Sequence, residues 1–142
     1  MNYEDWKDRW EELIIKYTLK GYESFDSDER IWFNIRSLID AVDNGGIISF
    51  YYNYGADYMD ETLEDLGKIG AREVMQILEK VNRLFPNGKP SKDIDERNEV
   101  IDTFEEDDSL KALFESLDEE FYALEEELEA KLDTIVIKVI NR

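Results

Sequence analysis

The chain has 142 residues, and its 36 acidic and 17 basic side chains give a formal net charge of −19 at neutral pH. The absence of Cys and His excludes disulfides, Cys/His zinc sites and catalytic triads that depend on either residue. A negative charge of this size disfavours direct binding to nucleic acid or anionic lipid and favours cationic partners. Residues 1–10 are acidic and amphipathic, with no basic region followed by an apolar run, so we expect no signal peptide. No apolar run is long enough to span a membrane, and we expect a soluble cytoplasmic protein without a cofactor or metal.

Apolar residues recur at helical spacing from the start of the chain. A first helix is predicted from the apolar face of residues 6–17, and Gly21 follows as its C-cap. Asp26 or Ser27 is the expected N-cap of a second helix. This helix is predicted to stop at Asn44-Gly45-Gly46, because Asn and Gly tolerate the left-handed conformation at helix ends.

The next segment is unusually rich in aromatic residues. The spacing of Ile47, Phe50, Tyr51 and Tyr54 favours a short buried helix, although a pair of strands is an alternative because these residue types also suit strands. Asn53 and Gly55 to its C-terminal side predict a second turn.

Four tyrosines of this segment have two possible roles. In the first, Tyr51 and Tyr54 pack in the core while Tyr52 and Tyr58 expose their hydroxyl groups. In the second, Tyr52 and Tyr58 contribute to a contact between two copies of the chain, because aromatic residues are enriched at interface cores. We expect a homodimer, with its contact away from the most acidic part of the chain.

The middle of the chain predicts two further helices. Residues 60–66 form a short acidic helix that ends at Gly67 or Gly70, and residues 71–85 form a longer amphipathic one. Both prolines of the chain lie in residues 86–92, which we interpret as a linker.

The C-terminal part carries most of the negative charge. Residues 93–133 contain 18 acidic and 3 basic side chains. Helices are predicted to start near Ile94, to cover residues 110–117 and to cover residues 121–140, with a strand as the alternative for residues 134–140. Because the apolar pattern continues beyond the linker, we predict a single compact all-α domain over residues 1–142 with about seven helices.

A specific resemblance lies in the sequence from Trp32 to Ala71. It includes Asn44-Gly45-Gly46, the aromatic run Phe50-Tyr51-Tyr52, Asn53, and Leu66 to Ala71 with its Ile-Gly-Ala end at Gly70. This stretch resembles the bacterial DNA-mimic protein family, and residues 117–132 also look like the C-terminal half of that family. The resemblance implies an all-α fold, often a homodimer, and an acidic surface that occupies the DNA-binding face of a helix-turn-helix repressor.

We therefore predict a non-enzymatic acidic protein that binds a DNA-binding protein in competition with DNA. The alternatives are an immunity protein or antitoxin that neutralises a basic nuclease toxin, and a hydrolase that uses a pair of carboxylates. The predicted partner-binding residues are carboxylates of residues 93–133, which we call the acidic segment: Glu105, Glu106, Asp107, Asp108, Glu119, Glu120, Glu126 and Glu127.

Overall fold

The structure is a computed structural model that describes residues 3–142. Over this range the chain forms seven α-helices and three short 3₁₀ turns, and no strand. The helices are α1 (Tyr3–Lys20), α2 (Ser27–Gly45), α3 (Ile47–Tyr52), α4 (Met59–Lys68), α5 (Arg72–Asn82), α6 (Ile94–Phe104) and α7 (Asp108–Ile140). The predicted all-α class is confirmed, while Met1 and Asn2 lie outside the described residues.

Helix α2 lies at the centre of the bundle, because residues 31–35 are all buried and so this turn of the helix faces other elements on every side. It packs against α7, α3 and α4. Its N-cap is Asp26, whose side chain accepts the Glu29 N–H while the Glu29 side chain accepts the Asp26 N–H, both at 3.0 Å. This reciprocal pair satisfies two backbone donors at the helix start and fixes where α2 begins.

The stop after α2 depends on Gly46. Its backbone has φ 80 and ψ 178, a region open almost only to glycine, and its N–H donates to the Val42 carbonyl at 2.7 Å. A Cβ at this position would lie 2.7 Å from Oδ2 of Asp118 on α7. The missing side chain thus lets the Asp118 carboxylate approach the start of α3, where Oδ1 accepts the Ile47 N–H at 2.8 Å.

The aromatic segment forms helix α3 and a 3₁₀ turn at Tyr54–Tyr58. Phe50 and Tyr51 are buried, as predicted. The prediction that Tyr54 packs in the core is wrong, since its side chain is 67% exposed. Helix α3 ends at Tyr52, and Asn53 is extended, so the helical period is interrupted one residue before Tyr54.

A buried arginine holds the turn after α3 in place. Arg97 of α6 donates to the carbonyls of Tyr51 (2.7 Å), Ser91 (2.8 Å) and Asn53 (2.9 Å). Its Nη2 also lies 2.9 Å from a carboxylate oxygen of Asp57. One side chain therefore satisfies two backbone acceptors at the end of α3 and one in the linker before α6.

Helices α4 and α5 are separated at Gly70, whose φ is 74, and the predicted linker contains a short 3₁₀ turn at Pro86–Gly88. Helix α6 begins at Ile94, as predicted, with Asp93 as its N-cap.

Helix α7 is one continuous helix of 33 residues, so the prediction of two separate helices over 110–117 and 121–140 is wrong. No Gly or Pro lies between Leu117 and Phe121, both of which are buried, and the apolar face passes through this region without a break. Residues 134–140 are helical, which removes the strand alternative. Helix α7 packs mainly against α2 and α5, with smaller contacts to α1 and α3, and leaves its remaining side to solvent.

Candidate partner-binding surface

The turn between α6 and α7 brings together the first four predicted carboxylates, and all of them are exposed. Asp107 also has a local role as the N-cap of α7, accepting the N–H groups of Ser109 (2.9 Å) and Leu110 (3.1 Å). These four residues are Glu105, Glu106, Asp107 and Asp108.

The second predicted group lies on the outer side of α7. Glu119, Glu120, Glu126 and Glu127 are all exposed. Glu119 and Glu126 are seven residues apart and so fall on nearly the same line along the helix, with Glu120 and Glu127 on the neighbouring line. Of these four, Glu127 forms an ion pair, with Lys131 at 3.0 Å.

A third group of carboxylates, which the sequence did not predict, lies where α7 crosses the C-terminal half of α2. We call it the α2–α7 cluster: Asp40 and Asp43 of α2 with Asp118, Glu125 and Glu129 of α7. Arg36 is the cation at this junction, at 3.3 Å from Glu129 and 3.5 Å from Asp40. The Arg36 guanidinium also lies over the Trp6 ring, with its carbon 5.6 Å from the ring centre.

The close packing of these acids raises the pKa values of three of them. Burial, a hydrogen bond with Asp43 and the negative charges of Asp43 and Glu129 raise the pKa of Glu125 to about 7. Burial also raises the pKa of Asp40 and that of Asp118. The fold therefore holds like charges close together although doing so makes them harder to ionise.

Two hydrogen bonds fix the relative position of α2 and α7 beside this cluster. The Tyr122 hydroxyl donates to the Val42 carbonyl at 3.0 Å, and Asp118 accepts the Ile47 N–H at 2.8 Å. Because both bonds join α7 to the end of α2 and the start of α3, the carboxylates of the two helices are held at a fixed separation.

The buried carboxylate Asp65 has a structural role. Its Oδ1 lies 2.6 Å from Nη2 of Arg30, and its Oδ2 accepts from Nε of Arg30 (3.2 Å) and Nδ2 of Asn34 (2.9 Å). Both oxygens are therefore engaged within the fold, and this carboxylate is not available for the acid–base role that the hydrolase alternative needs.

Of the two tyrosines predicted as a dimer contact, each has a hydroxyl partner in its own chain. Tyr52 donates to Asp102 at 2.7 Å, and the hydroxyl groups of Tyr58 and Tyr17 are 3.0 Å apart. The Tyr58 ring is stacked on the Tyr22 ring, with a centroid distance of 3.8 Å. The tyrosine that this segment exposes most is Tyr54.

Two further features bear on the class of protein. Within residues 3–142, no helix combines the length and the apolar character that crossing a bilayer requires. Over the same residues, no group of three or more acidic side chains is arranged to hold a metal ion.

Residues 23–139 match the family model of the DMP19-like proteins. The chain belongs to the DMP19-like protein family. The matched range of this DMP19-like protein contains the Gly46 stop, the α2–α7 cluster and all eight predicted carboxylates. Comparisons with curated proteins and with solved structures find no match.

The α2–α7 cluster of the DMP19-like protein was missed because its members are far apart in the sequence. Asp43 and Glu125 become neighbours only when α7 packs antiparallel to α2, and no local pattern encodes that pairing. The available signal was Gly46, since a glycine with a required conformation indicates close approach of another group, here Asp118.

Proposed function

We propose that this DMP19-like protein is a non-enzymatic DNA mimic that occupies the DNA-binding surface of a basic DNA-binding protein, such as a helix-turn-helix regulator. The observation that carries the proposal is the row of exposed carboxylates on one side of a long, continuous helix. The resemblance of residues 32–71 to the DNA-mimic family supports it, and those residues lie within the range of the family match.

The charge spacing on α7 suits this role. Residues 108–129 contain nine acidic residues and one basic residue, Lys111. At a rise of 1.5 Å per residue this part of the helix is roughly 32 Å long, which gives about one carboxylate per 3.5 Å. A single strand of B-DNA carries one phosphate per about 3.4 Å. Asp40 and Asp43 add two more carboxylates at the side of the row.

The acidic segment is also poorly neutralised at its surface. Of its three basic residues, Arg97 is buried and ion-paired with Asp57, and Lys131 is paired with Glu127. The remaining base, Lys111, is exposed near the start of α7. Exposed carboxylates of this segment therefore remain available to cations of a partner.

The expected energetics are those of many weak pairs. Each exposed ion pair contributes only about 0–1 kcal/mol, so useful affinity requires several pairs formed together. Complementary charge also increases the rate of encounter, which depends on ionic strength. Binding of the partner should consequently weaken steeply as salt is raised, as binding of DNA to the same partner does.

The test starts with capture of partners from a lysate of the source cells at about 0.05 M salt and release at about 0.5 M salt. The captured protein is then measured against two variants with the same change in charge. The test variant is E119Q/E120Q/E126Q/E127Q, on the outer side of α7. The control variant is D5N/D8N/E11Q/E23Q, four exposed acids on α1 and the turn after it.

We expect the test variant to lose roughly tenfold or more in affinity and the control variant to change little. Duplex DNA should displace the captured partner. Equal loss in both variants would assign the effect to net charge alone, and affinity that is indifferent to salt and to the test variant would refute the proposal. Inhibition of a captured nuclease would support the immunity-protein alternative instead.

A further inference from the structure

The contact between Asp43 and Glu125 is unusual because it joins two carboxyl groups. The two side chains are within hydrogen-bonding contact, and Oε1 of Glu125 is shielded from water without receiving a hydrogen bond from any donor in the described part of the chain. Two ionised carboxylates have only acceptor atoms, so they form a hydrogen bond only when one of them carries a proton. The geometry of this pair therefore calls for a proton or for a cation between the two groups.

Among residues 3–142, the surroundings of the pair supply no spare cation. The charged or titratable groups that face the pair are Arg36 and Asp40 from α2, and Asp118, Tyr122 and Glu129 from α7. Among these, Arg36 is the sole cation, and it already lies against Glu129, Asp40 and the Trp6 ring of α1. The start of α3 offers the Ile47 N–H, which Asp118 accepts.

The pair also has little freedom to separate. On one side of it, Tyr122 is bonded to the Val42 carbonyl and Asp118 to the start of α3. On the other side, Glu129 is bonded to Arg36 at 3.3 Å. These bonds hold α2 and α7 together at both ends of the cluster, so the helices cannot move apart to separate the pair. Because Oε1 of Glu125 is also shielded from water, a proton on Glu125 is the direct way to relieve repulsion with Asp43.

We propose that Glu125 holds a proton against Asp43 in the free protein and releases it to solvent when cationic side chains of a partner dock on the adjacent face of α7, so that partner binding strengthens as pH rises through neutrality. The release follows from linkage, since a nearby positive charge favours the ionised form of both carboxyls. This inference rests on the proposed function and adds to it a dependence on pH.

The expected magnitude follows from the ionisation of the pair. The raised pKa of Glu125, about 7, means that one proton must be removed on binding below that pH. For one proton that is absent from the complex, the dissociation constant falls by up to about tenfold between about pH 6 and about pH 8.

The first experiment uses the free protein and needs no partner. Carboxyl ¹³C signals are followed by NMR as a function of pH in the wild type, in D43N and in the control E119Q, which lies on the outer side of α7. We expect one signal of the pair to titrate near neutrality in the wild type and in E119Q, and to titrate at clearly lower pH in D43N. If every carboxyl in the wild type has titrated below about pH 5, as ordinary carboxyls do, the inference is overturned.

The second experiment uses a synthetic arginine-rich helical peptide as the cationic probe. Calorimetry near pH 6.5, in buffers with different ionisation enthalpies, measures the protons released for each complex formed. We expect up to one proton for the wild type and close to none for E125Q, with wild-type affinity rising about tenfold between about pH 6 and about pH 8.

The outcomes separate this inference from the proposed function. Salt-dependent binding of the peptide without proton release, or no binding to the wild type at either pH, overturns the inference. The proposed function fails on different evidence, namely a captured partner whose affinity does not change in E119Q/E120Q/E126Q/E127Q.

Discussion

Replacing Gly46 by alanine tests whether the stop after α2 positions the acid cluster. The backbone at Gly46 has φ 80 and ψ 178, a region in which a residue with a Cβ is strained by about 1–3 kcal/mol. The added Cβ would lie 2.7 Å from Oδ2 of Asp118, so this carboxylate must move and its bond to the Ile47 N–H is weakened. Loss of a helix-capping bond costs about 1 kcal/mol.

We expect G46A to lower the free energy of unfolding by about 2–4 kcal/mol in total. Urea unfolding followed by far-UV circular dichroism measures this change. A suitable control is G88A, because Gly88 also has a positive φ, of 72, but a Cβ there meets no atom within 4 Å. The control should lose only the strain of a positive φ, about 1–2 kcal/mol.

The double variant G46A/D118A separates strain from contact with the carboxylate. If Asp118 contributes as described, the double variant loses less stability than the sum of G46A and D118A, because each change removes the same interaction. A loss in G46A no larger than that in G88A, together with additive effects in the double variant, would refute the reasoning.

Three further predictions concern the buried arginine, the acid pair and the oligomeric state. R97A should lower the free energy of unfolding by about 3–5 kcal/mol in urea titrations, because it leaves Asp57 without its ion-pair partner and three backbone carbonyls without their donor. Wild-type stability should fall as pH rises from the ordinary Glu pKa towards about 7, since the folded state binds the Glu125 proton more tightly than the unfolded state does. E125Q should therefore be more stable than the wild type at about pH 8 in thermal unfolding. An E125Q protein that is no more stable than the wild type at that pH would contradict this. Finally, we expect a homodimer in sedimentation equilibrium that is weakened by Y54S, whereas a monomer at every concentration would exclude it.

The sequence predicted the helices well because each is marked locally. The stop at Gly46 and the start of α6 at Ile94 both follow from residue types within one turn of the helix end. The error at Tyr54 has the same origin, since a single extended residue at Asn53 changes the direction of the chain without any break in composition. The prediction that α7 is broken into two helices was wrong, because the acidic residues between Leu117 and Phe121 are fully compatible with a continuous helix.

The candidate surface was only partly predictable for a physical reason. Exposure of Glu119 or Glu126 follows from the apolar face of their own helix, so a helical pattern is sufficient to identify them. The pairing of Asp43 with Glu125 and the burial of Arg97 depend on contacts between distant parts of the chain. Such contacts are set by how helices pack, and a single sequence does not record them.

The packing of α7 on α2 also has a consequence for synthesis on the ribosome. Tyr122 is bonded to the Val42 carbonyl 80 residues earlier in the chain. At about 5–20 residues per second, the ribosome needs roughly 4–16 s to add the residues that separate Val42 from Tyr122 of the covering helix. During that interval the apolar side of α2 that α7 later buries is open to chaperones and proteases. The last helix to be made thus closes the hydrophobic core and presents the acidic row in the same step.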